Sequence, residues 1–463
     1  MASVRMNAAA RLSLVVLLSC VDCSTESPVD PQSAATAHLP DAWHEAAVDP
    51  DTGGRYLAKA RDALRRFQAT IATAGGAVLY PDYHGSRTVV LGVKSAFVQS
   101  RIRRRVEALL ESEGAESDLR VLALTDAPVE TIAAALGPIA DDPRLSLVRV
   151  EWGSSPATFA FVRDYAPLVR VHPVRDDFET TGLVVFGGST LNKVIDRELA
   201  VSQFRSLEGL RGRLARSRAI LDVYTARLPP GVLTDELTTA LDGGNLLSDG
   251  RGSCFLTEIV LDKNEGDAAR IHRDLRDRAG CARSFFLKAP QRLDFVQHVD
   301  TLLFFADAEN AVLSMPILYE GDLARDAANT RTLLELGYTV HRLPRRTASV
   351  TYANILVTRS NVYVPQYTGY HVESERQLVR NRRIAELDRS LDRDELRDRL
   401  REPIDTRLVV DDPALEDDNQ RALDVIARLM PTRRVVPWNS DETLGSLGSW
   451  HCLSHGLPEA LGP

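Results

Sequence analysis

Apolar positions along the chain follow two alternating rhythms. Short β-branched runs give way to charged segments whose apolar residues recur every three or four positions, and another β-branched run follows. One round reads "RTVVLGVKS" (87–95), "SRIRRRVEALLES" (100–112) and "RVLALTD" (120–126). A second opens with "ATFAFVRDYAPLVRV" and "GLVVFGG", continues through a long helix from about 196 to 227 and closes at "ELTTALDGGN". A third is "GSCFLTEIVL", "DAARIHRDLRDRAG" and "SFFLKA". The fourth has "HVDTLLFFA", "AVLSM", "RDAANTRTLLELG" and "YTVHRLP", and the fifth runs from "YANILVTRSNVYVPQY" through helical material to "RRVVPW". Five ββαβ-like rounds predict an α/β fold of a particular kind: a five-bladed α/β propeller, one domain over residues 46–463.

Composition changes this picture little. The 463 residues are 44% hydrophobic and 26% charged, with a formal charge of −8, ordinary for a globular protein. A net acidic chain argues against nucleic acid and suits a cationic substrate. The charge-dense stretch 374–402 carries balanced acids and bases and reads as solvated helix within the fifth round.

The N-terminus alters the picture more. Arg5 and Arg11 precede an apolar run, Leu12–Leu18, too short to span a bilayer, which predicts an export signal over 1–19. Leu17-Leu18-Ser19-Cys20 resembles a bacterial lipobox, making Cys20 the candidate lipidation site, and residues 20–45 read as a flexible tether. The expected location is outside the cytoplasm, secreted or lipid-anchored in the cell envelope, with that anchor as the sole membrane contact. An oxidising compartment permits one disulfide among Cys254, Cys281 and Cys452. A Cys254–Cys281 pair would leave Cys452 free, although spacing alone does not choose among the pairings.

Polar residues interrupt the apolar runs at a few places. Asp164 follows Arg163 in "FVRDYAP", and Asp242 and Asn245 lie in "LDGGNLLSDGRGS". His298 and Asp300 break "FVQHVDTLLFF", Asn354 lies in "SVTYANILV", and Cys452 lies in "GSWHCLSHG". Side chains on a strand alternate faces, so on the apolar strand they interrupt, His298 and Asp300 point the same way and Val299 the other. The bland reading of that pair is a structural ion pair. Gathered in one place, however, a thiol, an imidazole and several carboxylates suit hydrolysis of a guanidinium group. Carboxylates grip its paired N–H donors, and its resonance-stabilised carbon needs a nucleophile as strong as a thiolate. Histidine can protonate the departing ammonia and then deprotonate water. Zinc on His451, Cys452 and His455 is the rival, but the body of the chain has neither a paired Cys-x-x-Cys nor a His-Glu-x-x-His helix.

The stretches "RDYAP", "LDGGN…DGRGS", "HVD", "YAN…VYVPQY" and "GSWHCLS" occur in an order that resembles the agmatine deiminase and bacterial peptidylarginine deiminase family. That family lies within the guanidino-group-modifying superfamily of pentein fold. The resemblance implies Cys452 as nucleophile, His298 as acid and base, and Asp164 and Asp300 as holders of the guanidinium. It implies Asp242, Asn245 and Asn354 around the pocket, a covalent amidino-thioether intermediate, and neither metal nor organic cofactor. The implied partner is a small guanidine or an arginine-containing peptide. Ala166, Ser253 and Ser454 stand where the family has Gly, Thr and Thr. Trp450 replaces an aliphatic residue, and from sequence it is expected to reshape the mouth. Arg163, Arg170 and Arg359 are cations available to a substrate carboxylate. An amidinotransferase of the same superfamily and a non-catalytic lipoprotein binding arginine-like ligands are the alternatives.

Overall fold

The computed structural model describes residues 50–73, 76–93, 103–150, 162–174, 177–186, 217–289, 297–315, 322–345, 350–371, 409–441, 449–459 and 461. The export signal, Cys20, the tether and the helix at 374–402 lie outside them. Everything described belongs to one compact unit, Asp49–Pro463. No described helix is long and apolar enough to cross a membrane.

The β-branched runs form five sheets of one pattern, in which an antiparallel pair is followed, across a helix, by a parallel strand. Leu247–Ser248 pairs antiparallel with Ser253–Thr257, which pairs parallel with Arg283–Leu287. Leu303–Phe305, Asn310–Ser314 and Thr339–Leu343 repeat this with helix Asp322–Glu335 as the crossover. Leu356–Val357, Asn361–Gln366 and Arg434–Asn439 do so around helix Ala414–Leu429, and a small pair, Gly369–His371 with Val409–Asp411, is added. Leu168–Val174, Asp177–Phe186 and Leu233–Leu237 make the fourth, with Val78–Leu79 added at its edge.

The fifth sheet joins distant parts of the chain. Ser454–Leu457 pairs antiparallel with Thr88–Val93, followed in parallel by Arg120–Thr125 and Leu145–Arg149. Thr88–Val93 is apolar on both faces because both are covered. Val89, Leu91 and Val93 meet Val106, Leu109 and Leu110 of helix Arg103–Glu113, whereas Val90 packs with Leu122 and Leu124 in a separate cluster. Cys254, in strand Ser253–Thr257, and Cys281, two residues before the parallel strand Arg283–Leu287, form a buried disulfide.

One regularity positions everything that follows. The leading strand of each sheet is preceded by a turn or a single turn of helix. These are Val162–Asp164, Gly243–Asn245, Val299–Thr301, the bend through Tyr352 and Ala353, and Trp450–Leu453. Asp164, Asp242 with Asn245, His298 with Asp300, Asn354 and Cys452 lie on or beside them, in that order.

Candidate active site

Short turns suit reactive groups, because a side chain there need not obey the strand's alternation. "HVD" illustrates the point and corrects the expectation from sequence. His298 caps a one-turn 3₁₀ helix, Val299–Thr301, and the strand begins only at Leu303. His298 and Asp300 nevertheless face a common space. The preceding residue, Gln297, takes a left-handed backbone conformation (φ 49°), uncommon for a residue with a side chain. Its carbonyl accepts the Thr257 hydroxyl at 2.7 Å.

The common space lies over Gly244. A Cβ there would stand 2.8 Å from His298 Nδ1, 3.0 Å from Asp300 Oδ2 and 3.2 Å from Asp164 Oδ1. Only a residue without a side chain leaves that space open. His298 Nδ1 lies 3.5 Å from Asp164 Oδ1 and Nε2 lies 3.3 Å from Asp242 Oδ2. Asp242 Oδ2 also receives Lys263 Nζ at 2.6 Å. Burial opposes a charge on His298, but Asp164, Asp242 and Asp300 outweigh it and raise its pKa above the ordinary histidine value.

Cys452 is a free thiol, 4% exposed. Its Sγ lies 3.4 Å from Asp300 Oδ2 and accepts from Asn354 Nδ2 at 3.1 Å. Burial, Asp300 and Asp164 push the thiol pKa well above its usual value, against the Asn354 hydrogen bond. With no cation bound, Cys452 is therefore protonated near neutral pH. Asp300 Oδ1 is buried and without a hydrogen-bond partner, as is His298 Nδ1. Buried polar atoms of this kind call for a ligand with donors and acceptors to match.

Asn354 and Asn245 are braces. Asn354 Oδ1 accepts from Ser449 N at 2.8 Å and Cys452 N at 3.2 Å, and Nδ2 also reaches the Asp300 carbonyl at 3.3 Å. Asn245 Oδ1 accepts from Thr257 N (3.0 Å), Thr257 Oγ1 (3.1 Å) and Val299 N (3.0 Å). The three tie one turn to a strand and to the turn bearing His298.

The structure thus brings Cys452, His298, Asp164, Asp300, Asp242 and Asn354 together and sets Asn245 one layer behind. Sequence reading missed Asp82, His451 and Lys263 as members of this surround. His451 Nδ1 is 2.8 Å from Asp300 Oδ2 and Nε2 is 3.0 Å from Asp82 Oδ2, while Arg163 Nη2 meets Asp82 Oδ1 at 2.9 Å. The position of His451 beside Cys452 was a signal; nothing in "LYPDYHG" marks Asp82.

Two further expectations are corrected. Trp450 does not shape a mouth: it is buried, with its ring 4.4 Å from that of Trp438 and 6.1 Å from that of Tyr363. Nor do the three arginines await a carboxylate. Arg163 is buried against Asp82, Arg170 bonds Asp235 at 2.7 Å, and Arg359 bonds Asp177 at 2.6 Å. Among the described residues no group of three or more His, Cys, Asp or Glu is arranged to hold a metal. His455 Nδ1 lies 2.9 Å from the Tyr224 hydroxyl instead.

The chain is similar in fold to known deiminase structures. A Porphyromonas gingivalis protein described as an arginine deiminase matches at 17% identity and a TM-score of 0.56, over 84% of this chain and all of that one. C. jejuni agmatine deiminase, in a substrate-bound variant, matches at 14% and 0.53 over 83% of this chain and 97% of its own. Enterococcus faecalis agmatine deiminase matches at 14% and 0.54, with the same two coverages. No curated protein matches the chain by sequence. The sequence model of the Porphyromonas-type peptidyl-arginine deiminases does match, over residues 96–390, more than half of the chain. The mixed α/β fold expected from the sequence is therefore shared with solved deiminases, and the chain belongs to the Porphyromonas-type peptidyl-arginine deiminase family.

Proposed function

We propose that the protein hydrolyses a guanidinium group to a ureido product and ammonia, with Cys452 as nucleophile. The observation that carries this reading is the convergence of Cys452, His298, Asp164 and Asp300 on one buried space above Gly244. Three carboxylates around it, Asp242 included, favour a planar cation with paired N–H donors.

The electrostatics supply the sequence of events. Burial, Asp300 and Asp164 hold Cys452 as a thiol until a cation joins them. A guanidinium seated on those carboxylates neutralises them, and the thiol proton leaves to solvent. The thiolate adds to the central carbon, giving a neutral tetrahedral adduct. His298, charged beside its carboxylates, protonates one amino group, and ammonia departs to leave a cationic amidino-thioether. Neutral His298 then takes a proton from water as hydroxide adds to the same carbon. Collapse expels the thiolate and, after loss of one proton, yields the ureido product. Asn354 stabilises Sγ whenever it carries charge.

The five sheets of one pattern, and the pairing of Ser454–Leu457 with Thr88–Val93, support a five-bladed propeller in which each blade contributes one turn to a central site. Export remains part of the reading. A buried Cys254–Cys281 disulfide suits an oxidising compartment, and an exported deiminase suits arginine in peptides or free extracellular guanidines better than cytoplasmic agmatine. The test is ureido formation by the protein lacking residues 1–19, offered agmatine, arginine, and peptides with internal or C-terminal arginine. Product from one substrate class, absent with Cys452→Ala, is expected. No product from any of them, with Cys452 intact and reduced, would overturn the assignment.

A further inference from the structure

We propose that His451 is a positioning residue: a buried imidazolium, held between Asp300 and Asp82, that keeps Asp300 ionised beside Cys452 and ready for a cation. The inference deepens the deiminase reading and depends on it only for its binding measurement.

Asp300 is 1% exposed and stands beside a thiol and near the carboxylates of Asp164 and His298's other partner, Asp242. A carboxylate so buried, with like charges near it, takes up a proton unless a cation prevents this. His451 is placed to be that cation. A neutral imidazole has a single N–H, so its other nitrogen presents a lone pair. Both ring nitrogens of His451 face carboxylate oxygens, Asp300 Oδ2 at 2.8 Å and, off the ring axis, Asp82 Oδ2 at 3.0 Å. Nε2 makes no hydrogen bond there, but its 3.0 Å approach to Asp82 Oδ2, with Nδ1 bonded to Asp300, favours the positively charged ring over either neutral form.

The row extends beyond His451 with alternating sign: Asp300, His451, Asp82, Arg163. Arg163 is fixed by Nε donating to the carbonyls of His451 (3.3 Å) and Ser454 (3.2 Å). Among the described residues, the other titratable groups facing this row are Cys452, Asp164, His298, His455, Tyr80 beside Asp82 and Tyr224 near Arg163; burial holds both tyrosines neutral. Burial and Arg163 keep His455 neutral, its pKa well below the ordinary value, so it adds no second positive charge. Burial and Arg163 also oppose protonation of His451, yet Asp82 and Asp300 prevail and its pKa is raised. Burial would raise the pKa of Asp300, but the His451 hydrogen bond and charge lower it, followed by the charges of His298 and Arg163. A substrate's cation entering the space over Gly244, which Asp300 Oδ2 faces, can then meet a carboxylate already charged.

Two measurements test this. ¹⁵N-histidine spectra of the wild-type protein are expected to show both His451 ring nitrogens as imidazolium from pH 5.5 to 8, assigned by their loss in His451→Gln or their displacement in Asp82→Asn. A neutral tautomer at pH 7 overturns the proposal whether or not the protein is a deiminase. The second uses the Cys452→Ala background, where no thiol titrates, with agmatine and acetyl-arginine-amide as probes. Adding His451→Gln should weaken binding about tenfold at pH 7, as expected for loss of one charge-assisted contact. The gap should narrow towards pH 9 as Asp300 ionises unaided. Asp82→Asn should act in the same direction and stands in if His451→Gln does not fold. A gap that does not change with pH marks a merely structural role and overturns the proposal. Binding of neither probe to the Cys452→Ala parent would count against the deiminase reading, leaving the spectra to decide the charge of His451.

Discussion

Asn354 grips Cys452 twice, donating to Sγ at 3.1 Å and accepting from the backbone N–H at 3.2 Å, so one amide sets both the thiol's position and its electrostatics. Asn354→Asp keeps the shape and the acceptor but replaces the donor to sulfur with a second acceptor. Loss of one preorganised donor to a developing charge typically costs on the order of 10²-fold in kcat. That is the expected fall, and a lowered unfolding midpoint should accompany it, because a carboxylate at this buried position beside Asp300 is itself costly. Steady-state kinetics on the substrate identified by ureido formation, with thermal denaturation alongside, checks it.

The pair Cys452 and Asp300 yields opposite effects on two kinds of chemistry. Asp300 raises the thiol pKa, so Asp300→Asn should lower it and speed alkylation of Cys452 by iodoacetamide at pH 7.5, about tenfold for each unit of pKa recovered. On the proposed reading the same change removes one of the carboxylates that hold the guanidinium and should abolish turnover. Slower alkylation than wild type would contradict the charge assignment.

Gly244 offers a steric test independent of charge. Gly244→Ala adds one methyl group 2.8 Å from His298 Nδ1 and 3.0 Å from Asp300 Oδ2. We expect turnover to drop by at least about 10²-fold, the scale of a misplacement of roughly 1 Å. Circular dichroism and gel filtration should remain unchanged.

His298 gives a pH dependence of stability with a definite sign. Its folded pKa is raised, so its charged form contributes stability fully below the unfolded value, about 6.5. That contribution is lost as pH rises through the folded pKa. The destabilisation caused by His298→Gln should therefore be largest below about pH 6 and shrink at alkaline pH. Thermal melts of both proteins from pH 5 to 9 read it directly.

Asn245 tests the layer behind. Asn245→Ala strands two backbone donors, Thr257 N and Val299 N, while the Thr257 hydroxyl keeps the Gln297 carbonyl, and should cost about 2–3 kcal/mol by urea denaturation, since a buried unsatisfied group costs about 1–3 kcal/mol. Asn245→Asp keeps the acceptor and should be milder.

What could be read from sequence divides along physical lines. The β-branched runs became the strands because their periodicity is local and their burial on both faces needs no partner to be known. Cys452, His298, Asp300 and Asp164 were legible because charged or reactive groups in apolar runs are conspicuous. The strand geometry inferred for "HVD" failed, because an apolar run conceals a one-turn 3₁₀ helix at its start. Arg163 resembled a recognition cation in sequence and is in fact committed to Asp82 and two carbonyls. Asp82 itself was invisible: its importance is wholly tertiary, lying 369 positions before His451 in the chain and 3.0 Å from it in space.

The pairing of Ser454–Leu457 with Thr88–Val93 bears on how activity arises during synthesis. Every carboxylate of the site, and His298, is made before residue 452 emerges, yet the thiol reaches them only when the segment behind it docks on a strand made more than 360 positions earlier. An incomplete chain thus carries the cradle without the reactive group. On the proposed reading, the docking that completes the fifth sheet also brings the nucleophile to its partners, so a product truncated before Cys452 should be inactive.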